Sequence, residues 1–268
     1  MFCEGRISFR EICHEQGCDD DPQEYQTKEE AFEAVRHHVN TDHPLNNISD
    51  VHERSLLNST ALHRAAMIGM KERCEELLMR EARVDEYDDE CYTALIFAAM
   101  DGHTDTCQLL LDYGADIEHR TSDGDTALDV AAENGFIDTC KLLISRGATV
   151  DTEDHMNFTP LMRAASSGYT DVCQLLLDHG ADVEHKSCEG ETALDLAAIL
   201  GLLDVSKLLL SRGADGDNHL MKSLSEKNFK TAHCFIENGV SLDWIEDPRR
   251  QFATRIAVEY LSRFDIVY

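Results

Sequence analysis

Apolar residues between positions 56 and 217 follow a pattern that returns every 33 residues. Each return opens on a threonine followed by two apolar residues: Thr60-Ala61-Leu62, Thr93-Ala94-Leu95, Thr126-Ala127-Leu128, Thr159-Pro160-Leu161 and Thr192-Ala193-Leu194. An Ala-Ala pair follows each opening, and a Leu-rich run closes most copies near Gly-Ala-Asp. A fixed period of this length predicts a stack of small units, each burying its apolar face only against its neighbours.

The copy from Thr126 to Asp151 shows what one unit should be. Thr126 precedes the apolar run and predicts a helix N-cap, its hydroxyl accepting from an otherwise unpaired first-turn amide. Leu128, Ala131 and Ala132 have the three- and four-residue spacing of a buried helical face. The alanines leave room for the next copy to approach. Gly135 predicts a left-handed stop. In a second helix Cys140, Leu142, Leu143 and Ile144 are apolar, while Asp138, Lys141 and Arg146 face water. Gly147 ends it, and the chain extends through Thr149-Val150-Asp151 into a turn before Thr159. The predicted unit is helix, turn, helix and an extended, β-like finger, and the fold class is an all-α repeat solenoid.

These residues resemble the ankyrin repeat, whose usual wording is T-P-L-H-x-A-A at the first helix and L-L-x-x-G-A-D at the end of the second. The resemblance covers residues 56–217 in five copies. It implies an L-shaped stack whose fingers and first helices line a concave face that binds other proteins. The copies depart from the family wording at several points. The motif histidine occurs only as His63, with Ile96, Asp129, Met162 and Asp195 in its place later, so the polar network it supports must differ or be absent. Proline survives only as Pro160, and Glu81 stands where later copies have Gly114, Gly147, Gly180 and Gly213. The family's finger asparagine is replaced by Asp85, Glu118, Asp151, Glu184 and Asp217, an acidic stripe that also removes the residue asparaginyl hydroxylases modify.

Both ends of the stack are expected to be capped. A shortened sixth copy starts at Asn218, with Ala232, Cys234, Phe235 and Ile236 on its second-helix face and part of a finger missing. A degenerate terminal copy is what a solenoid cap looks like. Asp247-Pro248 then predicts the start of a last helix, with Phe252, Ile256, Tyr260 and Phe264 at helical spacing across Arg249–Phe264. At the other end, Thr27-Lys28-Glu29-Glu30 is a capping box that predicts a helix over 27–39, and an earlier helix is expected from about Ser8 to Gln16. The expected organisation is 1–55 as a helical cap or accessory element, 56–217 as five repeats and 218–268 as the sixth repeat with its closing helix.

Charge changes the picture. The chain carries 52 acidic and 24 basic residues, a formal net charge of -28. Residues 1–55 hold 13 acids and 5 bases, residues 56–217 hold 32 and 12, and residues 218–268 hold 7 and 7, so the repeats carry most of the acidity. Such a field repels nucleic-acid phosphates and anionic lipid and attracts a basic partner, besides keeping an extended molecule soluble. Neither direct nucleic-acid binding nor a membrane role is expected. No apolar run approaches the roughly 18–20 residues needed to span a bilayer, and no secretory signal is visible at the start.

Candidate chemistry is sparse. Cys74, Cys107, Cys140 and Cys173 occupy one place in successive copies, with Ser206 in the fifth. Equivalent positions on stacked helices lie about 8–10 Å apart, beyond disulfide reach, so this ladder is expected to be core, and the free thiols point to a reducing compartment, cytoplasmic or nuclear. Cys3, Cys13, His14 and Cys18, and His37, His38, His43 and His52, lack paired ligands at a standard metal spacing. Neither a metal nor a cofactor is expected, and no catalytic residue: phosphate-cradling glycine loops and G-x-S-x-G are absent.

The resemblance implies that partner contacts fall on positions that vary between copies. These are the residues after each Ala-Ala pair (Met67-Ile68, Met100-Asp101, Glu133-Asn134, Ser166-Ser167, Ile199-Leu200), those before each motif threonine (Ser59, Tyr92, Asp125, Phe158, Glu191) and the finger tips (Asp88, Asp89, Glu90, Ser122, Asp123, His155, Met156, Cys188, Glu189). Large apolar anchors within a polar rim are how interface hot spots are built. The expected partner-binding set is Tyr92, Met100, Asp101, Asp89, Glu90, Asp123, Asp125, Glu133, His155, Met156, Phe158, Glu189 and Glu191. Met67 and Ile68 have burial by residues 1–55 as an alternative, and Ile199 and Leu200 burial under the C-terminal cap. The expected protein is a monomeric, non-enzymatic module that binds a partner with basic segments through repeats two to four. Two rivals are an acidic inhibitor that mimics nucleic acid, and a targeting stalk for an activity in residues 1–55.

Overall fold

The computed structural model describes residues 59–225 together with Ala232, Phe235 and Ile236. The helices expected within residues 1–55, the Cys and His clusters there and the closing helix over Arg249–Phe264 lie outside these residues. Among the described residues there are eleven helices and no sheet. Two fall in each 33-residue copy: α1 (Ala61–Met67) and α2 (Lys71–Met79), α3 (Ala94–Met100) and α4 (Thr104–Asp112), α5 (Ala127–Glu133) and α6 (Ile137–Ser145), α7 (Pro160–Ser167) and α8 (Thr170–Asp178), and α9 (Ala193–Leu200) and α10 (Leu203–Ser211), followed by α11 (Gly216–Ser225). The chain passes from Ser211 to Gly216 without a finger, so the copy that begins with α11 is shortened on that side.

Contacts divide the chain into two compact units, residues 1–98 with 105–116, and residues 99–104 with 117–268. In the first, α1 packs against α2. In the second, α5, α7 and α9 form an inner row, α6, α8 and α10 an outer row, and each inner helix packs on the outer helix of its own copy.

The motif threonine starts the first helix of each copy as expected. At α5 the Thr126 hydroxyl accepts from the Asp129 amide at 3.4 Å, and the Asp129 carboxylate accepts from the Thr126 amide at 2.8 Å, a reciprocal capping box. Thr60 with His63 and Thr192 with Asp195 do the same. At α7, where Met162 cannot reach back, Pro160 fills the first turn and removes one amide that would otherwise need a partner. The core is built from the constant residues: Leu62, Leu95, Leu128, Leu161 and Leu194 are buried with the Ala-Ala pairs. Cys74, Cys107, Cys140 and Cys173 are free and fully buried, and burial pushes their thiols up to about 12. Ser206 keeps the column's volume and donates to the Leu202 carbonyl at 3.0 Å.

Gly135 is required twice over. Its φ of 77° suits glycine, and a Cβ there would collide with the Tyr169 ring of the next copy.

The histidine column keeps its network by exchanging partners. His63 accepts from the Thr60 amide through Nδ1, and its Nε2 lies 2.8 Å from the Glu86 carbonyl of the following finger. In the third copy Asp129 takes the capping role, and the bond to the next finger is reversed: the Thr152 hydroxyl donates to the carboxylate at 3.1 Å. In the fifth, Asp195 meets His219 Nδ1 at 2.8 Å, so the imidazole has moved to the other side of the contact. His219 stacks on the buried Phe235 at 6.2 Å between ring centroids. Where the column is apolar, Ile96 and Met162 are simply buried.

Candidate protein-binding face

Each finger ends in a small hairpin built around one buried polar residue. In the first unit the Asp88 amide donates to the Tyr92 carbonyl, and its carboxylate accepts from the amides of Glu90 and Tyr92 at 3.0 and 2.8 Å. In the second unit Thr121, Asp154 and Ser187 repeat the arrangement, with amides donating to the carbonyls of Asp125, Phe158 and Glu191 and side-chain oxygens accepting across each turn. Short side chains that accept from amides two and four residues on serve such turns well. The expectation that Asp88 is an exposed tip is therefore corrected: it is buried, and burial raises its carboxyl against the pull of the two amides.

Backbone bonds join the second unit's hairpins. The His155 amide donates to the Asp123 carbonyl at 3.1 Å, and the Cys188 amide to the Met156 carbonyl at 3.0 Å. Arg120 adds a bridge, its Nη1 donating to the carbonyls of Gly124 and Glu153. Carboxylates form another row of ties. The amide of Asp116 donates to Asp85, that of Thr149 to Glu118, that of Asp182 to Asp151 and that of Asp215 to Glu184, at 2.7–3.2 Å. The acidic stripe is thus also scaffold. Asp217 lies in the first turn of α11.

The residue missed by sequence reasoning is Arg163. Its Nη2 donates to Asp125 at 2.6 Å and to Asp154 at 2.5 Å, its Nη1 reaches Glu133 at 3.2 Å, and the guanidinium lies 6.0 Å from the Phe158 ring centroid. One side chain on α7 therefore holds two adjacent hairpins and the end of α5. Burial works against its charge, but Asp125, Glu133, Asp154 and Asp129 outweigh that and hold its pKa above the ordinary value. The signal was in the column 64, 97, 130, 163 and 196, which reads Arg64, Phe97, Val130, Arg163 and Leu196, so that Arg163 interrupts an apolar run in an acidic surround.

The expected contact residues separate into groups. In the first unit Asp89 and Glu90 are exposed, and Tyr92 is half-buried with its ring 5.2 Å from that of Phe97. In the second, Met100 and Asp101 are half-buried at the end of α3. Asp123, His155, Met156 and Glu189 are exposed at hairpin tips, with Phe158 and Glu191 half-buried beside them. Met156, 50% exposed, meets Cys188 with their sulfurs 3.9 Å apart. Glu133 is exposed and engaged with Arg163. Asp125 is a correction: it is only 8% exposed and faces Arg163 rather than open solvent. Burial raises its pKa to about 6, Arg163 lowering it while Asp129, Asp154 and Glu133 raise it further. At the end of α9, Ile199 and Leu200 are 40% and 53% exposed.

Among the described residues no group of His, Cys, Asp and Glu is arranged to hold a metal ion, and no helix is long and apolar enough to cross a membrane. Helices joined by hairpin fingers at a 33-residue period define a helical repeat protein. The family model for ankyrin repeats matches in three copies, over residues 29–121, 62–154 and 151–219, more than half of the sequence. The chain belongs to the ankyrin-repeat family. No curated protein matches it in sequence.

Proposed function

We propose that this chain is a non-enzymatic adaptor or inhibitor whose second unit binds a basic segment of a protein partner on the hairpin face. The observation that carries this reading is Met156: a large apolar side chain half exposed on hairpins fastened by backbone bonds and arginines, with Phe158 beside it and Asp123, Glu153 and Glu189 exposed around it. An apolar anchor on a pre-ordered base loses little entropy on binding, and a carboxylate rim speeds the approach of a cationic segment. Met100, Asp101, Asp125, Glu133, His155 and Glu191 complete the proposed contact set of the second unit, where Asp125 acts through Arg163; Asp89, Glu90 and Tyr92 are proposed as contacts of the first unit by itself.

Affinity purification from lysate at low and high salt, followed by mass spectrometry, tests the proposal. A partner retained by the wild type should be lost with Met156→Ala and Phe158→Ala together, a change of about 2 kcal/mol or more. Retention by that variant with loss on reversing Asp123 and Glu189 would favour the second reading, an acidic mimic that occupies a nucleic-acid-binding site, which the net charge of -28 supports. Binding of that kind collapses with salt and competes with nucleic acid.

A further inference from the structure

We infer that Arg163 is the positioning residue of the hairpin face and that the tie it makes to Asp125 is proton-sensitive, slackening on mild acidification so that the hairpins 121–125 and 154–158 lose their common anchor. The functional consequence rests on the protein-binding reading above; the tie itself does not.

The geometry begins with a charge imbalance. Three carboxylates, Asp125, Asp154 and Glu133, converge on one guanidinium. Asp129 adds a fourth, fully buried one turn before Glu133 on α5. One cation cannot neutralise four carboxylates in a site where Asp125, Asp129 and Asp154 are all withdrawn from water, so the cheapest relief is a proton on one of them. Asp129 and Asp154 have other commitments. Asp129 accepts from the Thr126 amide and from the hydroxyls of Thr126 and Thr152, and Asp154 accepts from the amides of Met156 and Phe158. At Asp129 those donors work against burial, which still raises its pKa. The Asp125 carboxylate has Arg163 as its ionic partner and Asp129, Asp154 and Glu133 as like-charged neighbours, and burial together with those neighbours brings its titration to about 6.

The groups around Asp125 are accounted for from every side. Arg163 comes from α7, Asp129 and Glu133 from α5, and Asp154 from the next hairpin. Arg120 is committed to the Gly124 and Glu153 carbonyls, and His155 lies against Gly124.

When Asp125 takes a proton, its ion pair with Nη2 becomes a hydrogen bond from the cation to a neutral carboxyl, while Asp154 and Glu133 keep the guanidinium. The arginine then belongs to one hairpin instead of two, and the face loses one negative charge. A basic segment bound there is held less tightly at acid pH. By linkage, its docking above that range discourages the proton further.

A titration of the isotopically labelled full chain by NMR from pH 7.5 to 4.5 tests this without any partner, so its failure is distinct from failure of the binding proposal. The Asp125 carboxyl carbon should titrate near 6, and the amides of Met156 and Phe158, one copy away, should shift with the same midpoint. In Asp125→Asn that transition should vanish from both amides. Glu133→Gln, on an exposed position, should fold as the wild type does and move the Asp125 midpoint downward by removing a like charge. Arg163→Lys, which cannot span both hairpins, should uncouple the two amides from Asp125. A carboxyl that titrates at the ordinary aspartate value, amides that stay flat while Asp125 titrates, coupling that survives Arg163→Lys, or a midpoint unmoved by Glu133→Gln would each overturn the inference.

Discussion

Glu81 adopts φ 66° at the stop of α2, where Gly114, Gly147, Gly180 and Gly213 take the left-handed turn in later copies. A side chain in that region costs roughly 1–2 kcal/mol, partly offset by the smaller backbone entropy glutamate loses on folding. Glu81→Gly should therefore stabilise the protein by about 0.5–1 kcal/mol in urea unfolding. Cys91, at φ 62° where Gly124 and Gly190 stand in later hairpins, predicts the same direction for Cys91→Gly. Asp125 predicts a pH dependence. Its pKa is raised in the folded state, from 3.8 to about 6, so its proton-linked stabilisation is fully present below about pH 4 and lost as pH rises through 6. Above that range ionised Asp125 costs the fold on the order of 2–3 kcal/mol. Asp125→Asn should thus raise the urea midpoint at pH 7.5 and converge on the wild type near pH 4. A gain that is the same at both pH values would contradict this assignment.

Among the elements, the inner helices depend on contacts that reach the following finger. Thr152 holds the buried Asp129 by a hydroxyl bond, and Thr152→Val keeps the volume while leaving that carboxylate short of one donor. A loss of about 1–2 kcal/mol is expected, read by thermal or urea unfolding. Such contacts mark the limit of what the sequence displayed. Helix starts, stops and the apolar core were legible because period, threonine caps and glycine stops are local signals carried by every copy. The exchange of His63 for Asp129 with Thr152, and for Asp195 with His219, could be seen only as missing histidines, since the compensating donors lie 23 and 24 residues away in a different element. Arg163 escaped for a related reason. Its three carboxylates sit 9, 30 and 38 residues off, and an arginine that its column repeats only at Arg64 carries no regular period. Asp125 and Asp88 lie in loops, where acidic residues usually face solvent, whereas here each turns inward to a donor.

Taken as a whole, the molecule combines a uniform core with an unbalanced surface. The four ladder cysteines are sealed, so a thiol reagent should leave Cys74, Cys107, Cys140 and Cys173 unmodified in the native protein while reaching exposed Cys188, and should label all five after denaturation. Peptide mass mapping reads this directly, and native-state labelling of the ladder would contradict the packing. The net charge of -28 should make moderate salt stabilising, because screening relieves self-repulsion more than it weakens the ion pairs present. The ties from Asp85, Glu118, Asp151 and Glu184 to amides 31 residues on give that acidity a particular handle. Each tie needs an oxygen acceptor, and none needs a full charge. Exchanging the four for Asn or Gln would strip four charges from the field with every acceptor still in its place, a rheostat for electrostatic reach that leaves the architecture untouched.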